Sequence, residues 1–367
     1  QIKDFIQKNK IDFVIIGPEK PLVDGIVDYL ESYNIKVFGP NKIASQLEGS
    51  KIFTKKICEK YKIPTAKFGI FNSVDEASNF LNNCDFPIVV KADGLAAGKG
   101  VYICDNIEQA TSAVKEIFNG KFGEANEILI EEFLKGEEMS FFIISDGKTF
   151  KNFGTAQDHK RVLEGDRGKN TGGMGAYSPS RLESKLLNEK IINKIIKPTI
   201  EGLKNLNTSF VGFLYAGLMI VDGEPFLIEY NVRMGDPECQ TILPKLKTNF
   251  LEIINACVNK ELDKVDIGWK KEKSICVVLC SKGYPESYKN NVEIKDLDKI
   301  ILKKNEFIFH AGTKNDNLKI ISNGGRVLSC TGIGDSLSDA ASKAYSMIEQ
   351  IELLGSHYRS DIGHRAL

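Results

Sequence analysis

The chain has 367 residues, with 49 Lys and Arg against 49 Asp and Glu, so its formal net charge is zero. This length predicts two or three domains, and the balanced charge gives no indication of binding to nucleic acid or to an anionic membrane surface. No apolar run reaches the roughly 18 residues of a membrane-spanning helix, and the first residues do not resemble a signal peptide.

The cysteines and histidines indicate neither a disulfide framework nor a zinc-type site. None of the eight cysteines forms a CxxC pair, and the four histidines show no metal-ligand spacing. We therefore expect the cysteines to be small core side chains of a protein in a reduced, cytoplasmic compartment.

The first fifty residues alternate predicted helices with predicted strands. The segment IKDFIQKNK is typical of a helix and leads into the apolar run at 11–16, and VDGIVDYLESYN and IKVFGP repeat that order. This alternation favours a parallel α/β layer. A layer that opens on a helix lacks its first strand, so we expect a truncated N-terminal α/β layer.

The following elements enclose a glycine-rich segment. Residues 50–62 read as a helix ended by Pro64, and FPIVVK and GVYIC read as strands on either side of a loop. The segment IEQATSAVKEIFNG predicts a helix, and EILIEEFL predicts a strand. We expect the two strands around the loop to pair as an antiparallel hairpin.

The rest of the chain mixes strands and helices. The segments MSFFIISDG and KTFKNF predict a hairpin, and a polar, glycine-rich stretch follows at 157–179. A long helix is predicted near 184–206, then the strand pair YAGLMIV and EPFLIEYN and a helix at 250–259. The last hundred residues combine the strands SICVVLCS, FIFHAGT and GGRVLSCT with one helix. The fold class is therefore α/β and α+β, in several domains.

The segment KADGLAAGKG, from Lys91 to Gly100, predicts a flap over phosphate groups. It is not a Walker loop, because Gly94 and Gly98 are one residue too close together and Lys99 is followed by Gly100. Between antiparallel strands, its backbone N–H groups can close over phosphates, and Lys91 can direct a cation to the same place. The alternative is a flexible hairpin tip with solvent-facing lysines.

The segment FLIEYNVRMGDPE predicts a metal site. Glu229 and Asn231 are two residues apart on a strand and so project from the same face, where Leu227 is also expected. Their oxygens suit Mg²⁺, which usually shares its ligands with substrate phosphates and water. Arg233 could contact a transferring phosphoryl group. The alternative is an ordinary strand end with polar residues at the sheet rim.

Two smaller features are compatible with a nucleotide site. The strand EILIEEFL ends in Glu131 and Glu132, and Glu137 and Glu138 follow closely. A strand edge can contact adenine while a carboxylate binds ribose hydroxyls, although charged residues at a sheet edge are equally common. Lys51 lies in the first turn of its helix, where the helix dipole disfavours a cation unless an anion binds there.

Taken together, these segments resemble the phosphoribosylamine–glycine ligase family of the ATP-grasp superfamily. The strings that carry the resemblance follow one another in the order LEGSKIFTK, KADGLAAGKGV, IEEFLKGEEMS, QDHKR, NTGGMGAYSP, GFLYAGLM, IEYNVRMGDPE, FHAGTK, NGGRVL and RSDIGHRA. The strings NTGGMGAYSP and RMGDPE are far more specific than a general ATP-grasp pattern. The family's GNGGREH-type turn, which helps to bind the phosphate of the amine substrate, has no match here.

The resemblance implies a function. It implies that ATP drives ligation of glycine to 5-phosphoribosylamine, giving glycinamide ribonucleotide, ADP and phosphate through glycyl phosphate in de novo purine biosynthesis. It implies Mg²⁺ or Mn²⁺ as cofactor, a cytoplasmic monomer, and no nucleic-acid or membrane partner. Two alternatives stay open: another ATP-grasp carboxylate–amine ligase, or a shortened nucleotide-binding chain that is inactive alone or is one segment of a larger polypeptide.

The resemblance also implies an ATP-grasp fold, in which two α+β subdomains clasp ATP. The implied domains are a remnant of the N-terminal α/β domain at 1–49, an ATP-grasp domain at 50–265 with a lid subdomain at about 67–130, and a small mixed C-terminal domain at 270–367.

Individual residues receive roles from the resemblance alone. The implied ATP-binding residues are Lys51, Lys91, Gly94, Gly98, Lys99, Gly100, Glu131, Phe133, Leu134 and Glu138. The implied metal ligands are Glu229 and Asn231. The implied substrate-binding residues are Asp158, Lys160, Arg161, Thr171, Gly172, Gly173, Met174 and Gly175. Arg233 and Asp236 are implied to face the glycyl phosphate and the amine. For Arg326 and Arg365, a place in the site and a structural ion pair are equal alternatives.

Overall fold

The computed structural model describes residues 1–95, 100–123 and 125–367. The chain divides into two compact units. Unit 1 comprises Gln1–Phe153, Ser184–Met234 and Leu251–Val265, and unit 2 comprises Gly154–Glu183, Gly235–Phe250 and Asp266–Leu367. The three-part domain division expected from the sequence stays a prediction.

The helices expected at 50–62, 107–120, 184–206 and 250–259 are present, and the short helices at 46–49, 74–81 and 238–242 are not among those expected from the sequence. The bounds of the helices are α1 (Ile2–Lys8), α2 (Glu19–Asp24), α3 (Ile26–Glu31), α4 (Gln46–Gly49), α5 (Lys51–Tyr61), α6 (Val74–Leu81), α7 (Ile107–Phe118), α8 (Lys185–Ile191), α9 (Lys197–Lys204), α10 (Glu238–Ile242), α11 (Phe250–Val258) and α12 (Leu337–Ile348). A π-helix at Ile192–Ile196 joins α8 to α9, which confirms the long helix predicted near 184–206. Among the described residues, no helix is long and apolar enough to cross a membrane.

The strands fall into several sheets. Their bounds are β1 (Phe13–Ile15), β2 (Lys36–Phe38), β3 (Phe68–Phe71), β4 (Ile88–Ala92), β5 (Val101–Cys104), β6 (Ile128–Glu132), β7 (Glu137–Asp146), β8 (Phe150–Asp158), β9 (Arg161–Leu163), β10 (Arg167–Asn170), β11 (Gly175–Ser178), β12 (Val211–Val221), β13 (Glu224–Asn231), β14 (Lys273–Cys280), β15 (Ile294–Lys295), β16 (Glu306–His310), β17 (Thr313–Asp316), β18 (Lys319–Ser322), β19 (Arg326–Gly334) and β20 (Glu352–Leu353).

The N-terminal part of unit 1 is the predicted α/β layer. Strands β1 and β2 pair in parallel, with Val14 opposite Val37. The single helix predicted for VDGIVDYLESYN is wrong, because the chain forms α2 and α3 on either side of Gly25. Gly25 has a φ of +93°, a left-handed conformation that favours glycine and ends a helix.

A four-stranded antiparallel sheet in unit 1 contains the strands on either side of the glycine-rich segment. Its strand order is β3-β6-β4-β5, so the predicted antiparallel pairing of the strands around the loop is confirmed. Helices α6 and α7 contribute buried side chains to the core of this sheet, including Ala77, Val114 and Ile117. The apolar face of the sheet is supplied by residues such as Val90 and Ile130. Burial of these side chains stabilises the sheet whose strands β4 and β5 lie on either side of the predicted flap.

A second antiparallel arrangement in unit 1 positions the predicted metal ligands. Strand β12 pairs with β7 on one side and with β13 on the other. The turn between β12 and β13 contains Asp222 and Gly223, both with positive φ, as a tight two-residue hairpin requires. This confirms the strand pair predicted from YAGLMIV and EPFLIEYN.

Unit 2 is built on the antiparallel strands β11, β14, β19 and β16, with α12 contributing to their core. The stretch at 157–179 holds more regular structure than its polar, glycine-rich composition suggests. It contains β9, β10 and the buried strand β11, which pairs with β14. Small residues allow β11 this position, because a Cβ atom on Gly175 would lie 2.5 Å from the main-chain oxygen of Cys276.

Candidate functional site

The predicted phosphate flap joins β4 to β5. Gly94 has a φ of +85°, and the Ala92 N–H donates a hydrogen bond of 2.8 Å to the carbonyl oxygen of Gly100. A Cβ atom on Gly94 would meet nothing within 4 Å, so the backbone conformation, not space, favours glycine here. Gly98 and Lys99 lie outside the described residues, and their contacts with ATP stay predictions.

Lys91, at the end of β4, belongs to a buried charge cluster that we call the lysine triad: Lys55, Lys91 and Glu131. Lys91 Nζ lies 2.5 Å from Glu131 Oε2, and Lys55 Nζ lies 2.6 Å from Glu131 Oε1. The three side chains are only 3–6% exposed. Val89, two residues before Lys91, lies opposite Glu131 in the sheet, so Lys91 and Glu131 share one face.

The charges of the lysine triad do not balance, because one carboxylate faces two ammonium groups. Burial alone would raise the pKa of Glu131, but Lys91 and then Lys55 overcome this effect and hold the pKa below its ordinary value. Burial lowers the pKa of Lys55, even though Glu131 acts to raise it. The excess positive charge favours a nearby anion such as a phosphate.

Lys51 begins α5 and lies near the same charges. Its Nζ donates to the carbonyl oxygen of Gly94 at 2.9 Å, so it contacts the start of the flap. Burial lowers the pKa of Lys51, while the charge of Glu229 acts to raise it. The Asp93 carboxylate accepts from the Ile52 N–H at 3.1 Å and so supplies negative charge at the helix N-terminus. Lys51 is therefore tolerated there without requiring a bound anion.

The predicted adenine edge lies at the end of β6 and the start of β7. Phe133 and Leu134 are half-buried, and Glu138 is exposed opposite Met219. The carboxylate of Glu131 faces the two lysines of the triad. Contacts of these residues with adenine and ribose stay predictions.

Glu229 and Asn231 share one face of β13, as predicted from their spacing. They lie opposite Gly217 and Tyr215, which are themselves two residues apart on β12. The expectation that Leu227 lies on the same face is wrong, because a β-bulge at this point pairs Leu227 with Leu218. The extra residue of the bulge reverses the alternation and places Leu227 in the core.

The chemistry of these two side chains fits a hard divalent cation. Glu229 supplies a carboxylate and Asn231 an amide oxygen, both half-buried. The described residues contain no group of three or more His, Cys, Asp or Glu side chains that could hold a metal ion. A cation held by Glu229 and Asn231 therefore needs further oxygens from substrate phosphates and water.

Arg233, just after β13, is held by acidic side chains of the N-terminal layer. Its Nη2 donates to Glu48 Oε1 at 2.9 Å, and its Nε lies 3.4 Å from Glu19 Oε2. The second Glu48 oxygen accepts from the Val232 N–H at 2.7 Å. Burial raises the pKa of Glu48 to about 7, and the opposing effect of Arg233 is smaller. The charge of Glu48 therefore changes near neutral pH.

In unit 2, the predicted substrate turn closes on itself through main-chain contacts. The Thr171 N–H donates to the carbonyl oxygen of Lys160 at 2.7 Å, and the Met174 N–H donates to that of His159 at 2.8 Å. The Gly172 N–H donates to the Tyr284 hydroxyl at 3.0 Å. The Gly173 N–H donates to the Thr171 hydroxyl at 3.0 Å, so the N–H groups of both glycines have partners within unit 2.

Asp236 and Arg326 connect this turn to the loop before α10. Arg326 Nη1 donates to the carbonyl oxygens of Gly172 at 2.7 Å and Asp236 at 2.6 Å, and Nη2 lies 3.1 Å from Asp236 Oδ2. Asp158 lies beside the turn, since a Cβ atom on Gly173 would be 2.8 Å from Asp158 Oδ1. Arg326 therefore contacts two residues of the predicted substrate site.

Arg365 forms an ion pair between two half-buried side chains. Its Nη2 contacts Asp166 Oδ2 in the segment between β9 and β10. Of the two alternatives left open for Arg365, the structure shows the ion pair.

Sequence reasoning missed Lys55, Glu48 and the C-terminal charges that include Arg359. A signal existed for Lys55, since it follows Ile52 by three residues and precedes Cys58 by three, which places it on the buried face of α5. No local pattern identifies the contacts of Arg359 with the carbonyl group of Arg161 and with Asp166, because these two residues lie far away in the sequence.

The comparisons with known proteins agree with this arrangement of elements. The model of the phosphoribosylglycinamide synthetase ATP-grasp domain matches residues 49–239, the model of its C domain matches 274–365, and the model of its N domain matches 1–48. The chain belongs to the phosphoribosylglycinamide synthetase family.

Curated relatives within this family match over nearly the whole chain. A phosphoribosylamine–glycine ligase of Brucella melitensis is 45% identical over 99% of this chain and 85% of its own length. The enzyme of the same name from Mesorhizobium japonicum is 46% identical over the same shares. A bifunctional purine biosynthetic protein of Pichia angusta is 47% identical, and the chain covers 46% of its length.

Solved structures show the ATP-grasp fold. A phosphoribosylamine–glycine ligase of Thermotoga maritima has 35% identity and a TM-score of 0.84, covering 96% of this chain and 85% of its own. A biotin carboxylase domain of Hydrogenobacter thermophilus, solved with magnesium ADP and bicarbonate, has 17% identity and a TM-score of 0.75 and covers 97% of this chain and 78% of its own. The fold class predicted from the sequence is confirmed.

Proposed function

We propose that this chain ligates glycine to 5-phosphoribosylamine with ATP, giving glycinamide ribonucleotide, ADP and phosphate in purine biosynthesis. The observation that carries the proposal is the match to three family models, of the N domain at 1–48, the ATP-grasp domain at 49–239 and the C domain at 274–365. Relatives at 45% identity that bear the name of this ligase support it. The bounds of the family models also support the three-part domain division.

The proposed reaction has two steps. An oxygen of the glycine carboxylate attacks the γ-phosphorus of ATP, the bond to the bridging oxygen breaks, and ADP leaves. The amine nitrogen of phosphoribosylamine then attacks the carbonyl carbon of glycyl phosphate. Phosphate departs with the electron pair of the C–O bond, and the nitrogen loses a proton. The protein contributes mainly position and compensating charge in both steps.

In this proposal, unit 1 binds the nucleotide. Lys51 and Lys91 contact the ATP phosphates together with Gly94, Gly98, Lys99 and Gly100 of the flap. Phe133 and Leu134 line the adenine pocket, and Glu138 binds the ribose hydroxyls. Glu131 borders the pocket with its main chain, while its carboxylate holds Lys91 and Lys55. The short ion pairs of the lysine triad support this assignment.

Glu229 and Asn231 would hold Mg²⁺ or Mn²⁺. The bound cation would supply charge neutralisation of the ATP phosphates. The oxygen ligands favour Mg²⁺, and Mn²⁺ accepts the same ligand type. Arg233 lies two residues after Asn231 and presents a planar guanidinium group, which suits a phosphoryl or carboxylate oxygen.

The proposed glycine and amine contacts include residues of unit 2. We assign substrate binding to Asp158, Lys160, Arg161, Thr171, Gly172, Gly173, Met174, Gly175 and Asp236, and to Arg233 of unit 1. Arg233 and Asp236 are the proposed catalytic residues. The contact of Arg326 with both Gly172 and Asp236 supports a common role for the turn and Asp236. The resemblance also implies a cytoplasmic location and a monomer, which are both part of the proposal, and light scattering checks the monomer.

The test is ADP release from the purified chain with Mg²⁺-ATP, glycine and freshly generated phosphoribosylamine, leaving out one component at a time. Release that needs both co-substrates supports the ligase. Release with a different carboxylate or amine indicates another ligase of this fold. ATP binding without turnover indicates a chain that is inactive alone.

The variant Glu229→Gln combined with Asn231→Ala examines the metal assignment. It should abolish Mg²⁺-dependent turnover while the circular dichroism spectrum stays unchanged. The matched control is Glu224→Gln on the same strand, because Glu224 pairs with Lys190 and Lys194 at the other end of β13. Normal turnover of the double variant would contradict the assignment.

A further inference from the structure

The hairpin of β9 and β10 carries two of the proposed substrate-binding residues at its base. Lys160 and Thr171 flank the hairpin, and both the N–H and the hydroxyl of Thr171 donate to the Lys160 carbonyl oxygen, at 2.7 Å and 2.8 Å. The pairing of β9 with β10 is irregular, and every residue of β10 is exposed. A two-stranded hairpin of this kind is marginally stable by itself, so other contacts must hold it in place.

The C-terminal segment supplies those contacts through Arg359. The side chain of Arg359 is 1% exposed, and its Nη1 donates to the carbonyl oxygen of Arg161 at 3.0 Å and to Asp166 Oδ1 at 2.9 Å. Its Nε and Nη2 pair with the two oxygens of Asp361 at 2.7 Å and 2.8 Å. One guanidinium group therefore contacts both the base and the turn of the hairpin.

Asp361 contacts the hairpin directly as well. Its Oδ2 accepts from the Gly165 N–H at 2.8 Å. Burial alone would raise the pKa of Asp361, but the hydrogen bonds from Arg359 and Gly165 lower the pKa to about 2. The carboxylate is therefore ionised at neutral pH and keeps both hydrogen bonds.

The C-terminal segment is itself fixed to the body of unit 2. The Tyr345 hydroxyl, from α12, donates to the carbonyl oxygen of Arg359 at 2.9 Å and accepts from the Ile362 N–H at 3.0 Å. The Gly363 N–H donates to Nε2 of the buried His159 at 3.1 Å, next to the base of the hairpin. Hydrogen bonds of the C-terminal segment therefore connect α12 with the base of the hairpin.

We propose that Arg359 and Asp361 are positioning residues that hold the base of this hairpin, so that the cations of Lys160 and Arg161 can bind an anionic group of a substrate. The inference deepens the proposed function and rests on it. The anionic group is a carboxylate or a phosphate, since a lysine ammonium and an arginine fork both suit these oxygens. Glycine carries the first group and phosphoribosylamine the second.

The test compares Arg359→Gln and Asp361→Asn with the control Arg167→Gln in the full chain. Arg167 lies on β10, is exposed and donates only to the Glu164 carbonyl oxygen among the contacts described. We expect the KM for glycine or for phosphoribosylamine to rise about tenfold or more in the first two variants, since misplaced binding groups weaken positioning. The KM for ATP should change less than about twofold, because the proposed ATP residues lie in unit 1. Whichever KM rises identifies the carboxylate or the phosphate.

Hydrogen exchange of residues 159–175 provides a readout that does not depend on ligation. Faster exchange in Arg359→Gln and Asp361→Asn, with unchanged exchange at 107–118, would support the positioning role of these two residues. If the wild-type chain ligated nothing, that result would still stand and only the proposed function would fail. Normal exchange, or equal rises in all three KM values, would overturn the positioning role. If Arg359→Gln does not fold, Asp361→Asn, which keeps the side-chain shape, decides the outcome.

Discussion

Replacing Glu131 by Gln removes the only carboxylate of the lysine triad and leaves two buried ammonium groups facing each other. Lys55 and Lys91 are 3% and 6% exposed in their side chains, so water cannot compensate for the loss. Removing one partner of a buried ion pair typically costs about 3–5 kcal/mol. Because two lysines lose the same partner, we expect Glu131→Gln to reduce the free energy of unfolding at pH 7 by at least about 3 kcal/mol.

The stability lost in Glu131→Gln should depend on pH. Without Glu131, which acts to raise the pKa of Lys55, burial and the charge of Lys91 hold the pKa of Lys55 in the folded state below that in the unfolded chain. Between the folded-state pKa and the unfolded-state pKa of the lysine, the unfolded state binds more protons than the folded state. The free energy of unfolding of the variant therefore rises as the pH rises through this interval. The difference from the wild type should therefore be larger at pH 7 than at pH 9.5.

Urea unfolding followed by far-UV circular dichroism at both pH values measures these differences. The matched control is Glu132→Gln, the next residue, whose exposed side chain accepts from the Lys67 N–H at 2.9 Å. We expect the control to change the free energy of unfolding by about 1 kcal/mol or less. A Glu131→Gln loss as small as that of the control, or one that grows with pH, would refute the reasoning.

Three further perturbations follow from the same physical arguments. Lys55→Met should destabilise the fold less than Glu131→Gln does, because the carboxylate of Glu131 keeps one lysine partner. Urea unfolding compares the free energies of unfolding of the two variants. The pKa of Glu48, raised to about 7 by burial, makes the folded state bind more protons than the unfolded state between about pH 4.5 and 7. Stability should thus fall as the pH rises through this window, and Glu48→Gln should flatten the fall; an unchanged slope would exclude Glu48 as its source. Gly175→Ala places a Cβ atom 2.5 Å from a main-chain oxygen, so it should cost about 1–3 kcal/mol, measured as a lower urea midpoint.

The elements of the fold could be predicted where a pattern repeats within a few residues. The helix at 50–62 is present as α5, and Ser50 caps it by accepting from the Phe53 N–H at 3.0 Å. The shared face of Glu229 and Asn231 also follows from a two-residue period. In both cases the deciding interactions are local.

The pattern failed where a single residue interrupts the period. The bulge in β13 places Leu227 on the face opposite Glu229, although the period of two puts them together. Gly25 splits one predicted helix in two for a comparable reason, since its positive φ ends α2. A bulge and a left-handed glycine both depend on how the neighbouring elements pack, which the segment alone does not reveal.

The contacts of buried charged residues are only partly predictable from the sequence. Arg359 and the carbonyl group of Arg161 that it contacts are 198 residues apart, so no local pattern connects them. A charged residue can nevertheless be recognised in the sequence when it occupies a position on the buried face of a helix, as Lys55 does in α5. Because burying a charge is costly unless a partner compensates it, such a position predicts that a counter-charge exists even when the sequence does not show which residue supplies it. Three buried cations of the described residues show this: Lys55 and Lys91 pair with Glu131, and Arg359 pairs with Asp361 while it contacts the carbonyl group of Arg161, a residue of the proposed substrate site.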